Sequence, residues 1–263
     1  MTRHDMRLGY HPDVLDPRDH IYRDHLTAPP PPPSASLVPN CPPIWNQQTL
    51  GCCTGEGSAR ALAIVRAKAG LPYMEPSVLF IYFNERSLEG TVDSDAGAMV
   101  RDGVKTLHKL GVPPSSAWPF DVSKFKEKPS ADAYAQATPH RALTYQRIVE
   151  TTMAGRERAI KTALAAGWPV VFGFTVMSSF ESDEVARTGI VPDPQPGEQV
   201  LGGHCVVFTG YNDAPFSDVG DQPFFDNSWS ESFGRGGRFT MSWHQATNPK
   251  TASDYWVLKT VNG

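Results

Sequence analysis

Apolar and polar residues alternate with different rhythms in the two parts of this chain. From Cys53 to about Ala69 a proline-free run rich in Ala and Arg closes at Gly70 and Pro72, which are helix-stop signals. Pro76 to Phe83 and Ala98 to Leu110, the latter ending at Gly111, predict two more helices beside it. Around residues 120 to 140 the periodicity dissolves into Lys, Ser, Ala and Pro, and a short helix is expected from about Arg156 to Ala166. Beyond Gly167 the rhythm changes. Val170–Val176, Cys205–Thr209, Phe224–Asp226, Arg238–Met241 and Tyr255–Leu258 are short β-branched or aromatic runs between turn residues, and read as strands. Helices first and strands afterwards predict an α+β fold: a mainly helical half over 37–140, a mainly antiparallel β half over 141–263, and a cleft between them. Residues 1–36 are polar, lack periodicity and carry Pro29 to Pro33, so they read as an extended arm with a stiff polyproline II linker, outside the core.

Composition narrows the function classes. The 263 residues carry 24 Lys+Arg against 28 Asp+Glu, a net charge of −4 that offers no footprint for nucleic acid or an anionic membrane surface. Apolar runs stop well short of the roughly 20 residues that span a bilayer, and the first residues build no secretory apolar core. Four cysteines (Cys41, Cys52, Cys53, Cys205) are too few for a disulfide scaffold, and Cys52 and Cys53 are neighbours that would bridge only with strain, so a reducing, cytoplasmic setting is expected. His11, His20, His25, His108, His140 and His244 show no ligand spacing; no metal or other cofactor is expected.

Chemistry concentrates at three places. Cys53 opens the first long helix, where the positive end of the helix dipole and a nearby imidazolium lower a thiol pKa. Six residues upstream, Gln47 is placed to return its side-chain amide to the thiol and, with the backbone N–H of Cys53, to stabilise an oxyanion. Downstream, Gly202-Gly203-His204 puts a histidine behind two glycines that admit a close backbone approach, and Asn227 in Phe225-Asp226-Asn227-Ser228-Trp229 offers a carbonyl to the imidazole N–H. Cys then His, 151 residues apart, then Asn is the order of a Cys-His nucleophilic enzyme.

With Gly234-Arg235-Gly236-Gly237, these motifs resemble the signatures of the papain family of cysteine peptidases. Leu8-Gly9-Tyr10 to Asp16-Pro17-Arg18-Asp19, Pro76-Ser77 to Arg86, and Gly173-Phe174-Thr175 are similar to its bacterial branch, whose members often lack a long prodomain. The resemblance implies a papain-like fold: a helical left domain, a barrel-like antiparallel right domain and the active site between them. It implies Cys53 as nucleophile, His204 as acid/base, Asn227 as its orienter and Gln47 as oxyanion donor, acting on a peptide or protein through a thioester. It further implies that Trp229 shields the His–Asn bond, that Cys205 lines the S2 pocket, and that Gly97 and Gly203 meet the substrate backbone.

The sequence also departs from the family pattern. Leu50 stands in place of a disulfide cysteine, Thr54 in place of an aromatic, and Gln48 and Ser230 in place of glycines, while Gly55-Glu56-Gly57 lowers helix propensity beside the nucleophile. Cys52 reads as a packed small residue, its rival role being capture of an oxidised Cys53. The short arm is expected to cross the cleft in cis and restrain activity. Two other functions use the same residues: a binding protein on a retired peptidase fold, or a Cys-His acyltransferase or deamidase.

Overall fold

Helix α2 (Cys53–Lys68) is buried from Cys53 to Arg66, so it shows no polar stripe. It ends with Arg66 and Lys68 in its last turn, where cations complement the helix dipole. Gly55 and Gly57 lower its intrinsic propensity but admit its neighbours: a Cβ on Gly55 would lie 3.2 Å from the Val78 carbonyl, and one on Gly57 3.0 Å from the Cys205 sulfur. α3 (Val78–Glu89) starts on a Ser77 cap that accepts from Phe80 N–H and ends at Gly90 in the left-handed region. α4 (Val100–Lys109) packs Val100, Val104 and Leu107 inward. Burying Leu62, Ile64 and Val65 of α2 contributes about 1.5–3 kcal/mol each.

In this computed structural model, residues 5–212 and 220–262 are described. The second half contains β4 (Ala142–Arg147), α6 (Met153–Ala165), β5 (Val170–Met177), α7 (Asp183–Thr188), β6 (Val200–Tyr211), β7 (Pro223–Asp226), β8 (Arg238–Thr240), α8 (Trp243–Thr247) and β9 (Ala252–Val261). The strands form an antiparallel sheet in the order β4-β9-β5-β6-β7-β8. Its ends, β4 and β8, do not pair, so the expected barrel-like closure is absent: this is an open sheet with α2 laid across β5, β6 and β9. A buried Arg60–Asp226 ion pair of 2.7 Å ties α2 to β7.

Two segments differ from the sequence reading. A helix α5 (Ala131–Ala137) forms where periodicity had dissolved, capped by Ser130, which accepts from Ala133 N–H at 3.1 Å. The arm, of which residues 1–4 lie outside the description, is not external to the core: Tyr10, Tyr22 and His25 are buried. It is held by irregularly spaced anchors that no periodicity reveals. β1 (Tyr10–His11) pairs in parallel with β3 (Ala98–Met99), and β2 (Ala35–Ser36) pairs with β6. A short α1 (Asp24–Thr27) lies between them. Asp13, Asp16 and Asp19 meet Arg101 of α4 and Arg147 of β4. The proline run lies along the end of β6, where Tyr211 Oη donates to the Pro32 carbonyl at 2.8 Å.

Candidate active site

Cys53 is the first residue of α2 and is fully buried. Burial pushes its thiol up to about 12, only partly offset by the backbone N–H groups of Cys205, Gly9 and Thr54, while the Glu85 carboxyl adds to the rise. Glu85 is itself buried, its carboxyl raised well above the ordinary range by desolvation, and it accepts from Thr54 Oγ1 at 2.8 Å. Thr54, which stands in place of an aromatic, therefore anchors α2 to α3.

His204 lies within β6 and is fully buried between Phe174 and Trp229, whose ring centroid is 5.0 Å away. Its Nε2 is 2.7 Å from Asn227 Oδ1. The Ser228 N–H also donates to that oxygen, at 2.8 Å, which identifies it as the amide carbonyl. A carbonyl only accepts, so Nε2 carries the proton and Nδ1 keeps its lone pair. Nδ1 is buried and has no hydrogen-bond partner among the described residues. Burial lowers the imidazole pKa to about 4, against the opposing pull of the Asn227 bond.

Gln47 is oriented by two donors. Its Oε1 accepts from Ser228 Oγ at 2.7 Å and Trp229 Nε1 at 3.2 Å, which turns its amide nitrogen toward the Leu50 carbonyl at 2.9 Å and the Arg7 carbonyl at 2.8 Å. Gln47 N–H in turn donates to the Ser228 carbonyl at 2.8 Å, so the loop before α2 is sewn to the segment after Asn227. Gln48 and Ser230 both have left-handed backbones, with φ of 55° and 69°. The shape favoured by glycine persists there with other side chains, at about 1 kcal/mol each.

The remaining expected positions, Gly203, Trp229, Cys205 and Gly97, contact the arm, His204, Cys53 and Tyr82 respectively. Gly203 faces Tyr10 of the arm, where a Cβ would meet the Tyr10 carbonyl at 2.4 Å. Trp229 is buried against both His204 and Gln47. Cys205 presents its backbone N–H to the Cys53 thiol, and its sulfur packs on Gly57 of α2. Gly97 N–H donates to Tyr82 Oη at 3.0 Å, and the next residue, Ala98, donates to the Gly9 carbonyl at 2.7 Å.

Asp95 is a residue the sequence reading passed over. It accepts from Gly51 N–H at 3.0 Å and Tyr82 Oη at 2.6 Å and lies 3.6 Å from Arg7, joining the loop before Cys53, α3 and the arm. The one signal for it was its place in Asp95-Ala96-Gly97. Among the described residues no cluster of three or more His, Cys, Asp or Glu could hold a metal ion.

Residues 87–257 match the model of the papain family cysteine proteases, a span that contains His204 and Asn227. An uncharacterized peptidase C1-like protein of Acanthamoeba polyphaga mimivirus is 40% identical over 221 residues, 82% of this chain and 69% of that one. Among solved structures, xylellain, a cysteine protease from Xylella fastidiosa, superposes with a TM-score of 0.85 at 34% identity, covering 97% of this chain and 96% of its own. Procathepsin B S9 of Trypanosoma congolense shares the fold at 15% identity, with a TM-score of 0.71 over 96% of this chain and 85% of its own.

Proposed function

The chain belongs to the papain family of cysteine proteases, and on that premise we propose that Cys53, His204, Asn227 and Gln47 are the residues through which it cleaves peptide bonds. The observation that carries this reading is the His204–Asn227 bond, which leaves Nδ1 as the basic nitrogen in a water-excluded site. His204 Nδ1 takes the thiol proton, and the Cys53 sulfur attacks the scissile carbonyl. The resulting oxyanion is met by Gln47 Nε2 and the Cys53 N–H. On collapse the C–N bond breaks, the imidazolium proton goes to the leaving amine, and a thioester remains on Cys53. Water, deprotonated by His204, then attacks the thioester, releasing the acid and restoring the thiol.

The arm in this reading holds the enzyme latent in cis. Support comes from the Arg7 carbonyl on the Gln47 amide, the Gly9 N–H at the thiol and the Gly9 carbonyl on Ala98, contacts a substrate would need. A thiol raised to about 12 and an imidazole lowered to about 4 are both neutral at pH 7. A reducing, cytoplasmic setting fits four unpaired cysteines, and a bacterial origin fits the likeness to xylellain.

Turnover of fluorogenic peptides by the wild type, Cys53→Ala and His204→Ala tests the assignment. It expects turnover that both substitutions abolish, and equal cleavage by all three proteins would refute it.

A further inference from the structure

Tyr10 lies over the sheet face beside the nucleophile, in a slot that exists because two residues there lack side chains. A Cβ on Gly173 would sit 2.0 Å from Tyr10 Cζ, and one on Gly203 2.9 Å from Tyr10 Cδ1. Gly173 is the register partner of Cys205 and Gly203 that of Thr175, so both glycines share the face that carries the Cys205 side chain.

The slot ends on polar groups. Tyr10 Oη donates to Asp254 Oδ2 at 2.5 Å and lies 2.6 Å from Ser253 Oγ. Asp254 sits at a register shift between β5 and β9, with a left-handed backbone of φ 57°. A non-glycine residue held in that conformation inside a bulge is the kind of strain that redirects a side chain at a working site. Ser253 and Asp254 also line a cavity of about 430 Å³, together with Arg147.

We infer that the seat of Tyr10 is the substrate's S2 subsite and that it selects a hydroxyaryl side chain, tyrosine above all, with Asp254 and Ser253 as the specificity-determining residues. This rests on the peptidase reading and names its substrate preference.

The tethered arm shows which side chain fits. A cationic side chain is a poorer match, because Arg147 already bonds the other oxygen of Asp254 and a second cation would stand beside the first. Phenylalanine fills the ring space but leaves Asp254 and Ser253 without the phenolic partner. Both residues also border the cavity, where water can replace the phenol, so the penalty is about tenfold.

The test uses the full chain carrying Gly9→Ala, which unseats the arm because a Cβ there would lie 1.9 Å from the Gly51 carbonyl oxygen. Acetyl-Xaa-Ala-aminocoumarin substrates with Tyr, Phe, Arg or Ala at Xaa are compared by kcat/KM. Tyr is expected about tenfold above Phe and Arg, and adding Gly173→Ala should lower the ratio of kcat/KM for the Tyr substrate to that for the Ala substrate at least tenfold. Equal rates for Tyr and Phe, or a preference for Arg, overturn the inference while leaving the peptidase reading intact.

A second measurement needs no turnover and so separates the two failures. In Tyr10→Gly protein, p-cresol should raise the melting temperature saturably, and toluene at the same concentration should not. Equal effects of the two compounds, or no effect of either, overturn the inference even if no substrate is cleaved.

Discussion

Displacing the arm should switch on the Cys53 thiol, and the size of the effect follows from its surroundings. Gly9→Ala places a Cβ 1.9 Å from the Gly51 carbonyl oxygen and 2.5 Å from its carbon, both backbone atoms at the turn into α2. The arm must leave that position, taking with it its share of the burial that raises the Cys53 thiol together with the Gly9 N–H that partly offsets that rise. With the thiol held near 12, about one part in 10⁵ is thiolate at pH 7, whereas a thiol returned to its ordinary value of about 8.5 is about 3% ionised. The thiolate population therefore rises about 3,000-fold. Nucleophilicity falls as the pKa falls, with a Brønsted slope of about 0.4–0.5, which takes back about 40-fold. Iodoacetamide should thus label Cys53 about 100-fold faster in Gly9→Ala than in the wild type, before any gain from access or from a His204 ion pair. The pH profile gives a second reading: labelling of the variant should level off above pH 8.5, while that of the wild type keeps rising. A folded Gly9→Ala protein labelled within threefold of the wild-type rate would refute the reasoning.

Other consequences follow from the same contacts. Gln47→Ala removes a proposed oxyanion donor and should lower kcat by about 10²–10³ in arm-displaced protein; a change in KM alone would contradict that role. Arg60→Ala strands the buried Asp226 carboxylate, which is 2.7 Å from the guanidinium, and should cost about 3–5 kcal/mol in denaturant melts. His204 titrates near 4 when folded against about 6.5 unfolded, so between those values only the unfolded chain binds the proton. Its contribution to stability is fully present above about pH 6.5 and is lost as pH falls through 4, a change of about 3 kcal/mol. His204→Gln should flatten that part of the stability profile, and an unchanged slope would assign it to other groups.

The elements that carry the proposed site were legible because each announces itself locally. Cys53 begins a proline-free run, His204 lies in an apolar strand, and Asn227 follows the strand Phe224–Asp226. What stayed hidden depends on pairing between distant segments. The arm shows no periodicity because Tyr10, Tyr22 and the three aspartates at 13, 16 and 19 are irregularly spaced single anchors, the aspartates sharing Arg101 of α4 and Arg147 of β4 and Tyr10 reaching Asp254 of β9. β4 is not legible in the sequence because Ala142–Arg147 has buried, half-buried and exposed positions without alternation and mixes polar with apolar residues, so only its pairing with β9 defines it as a strand. Gly97 and Ala98 show the limit at one residue: the motif locates the loop, but it is the Ala98 N–H that meets the arm, because Tyr82 takes that of Gly97. An open rather than closed sheet is likewise decided by where β4 and β8 lie, which local patterning does not encode.

The central claim is that Cys53 forms a thioester with the acyl part of the substrate. Its most direct test is intact-mass and peptide-mapping mass spectrometry of arm-displaced protein quenched in acid during turnover of a peptide p-nitrophenyl ester. The account predicts one acyl group, carried on Cys53 and absent from Cys53→Ala. An adduct on Cys52 or Cys205 instead, or turnover that persists in Cys53→Ala, would contradict it.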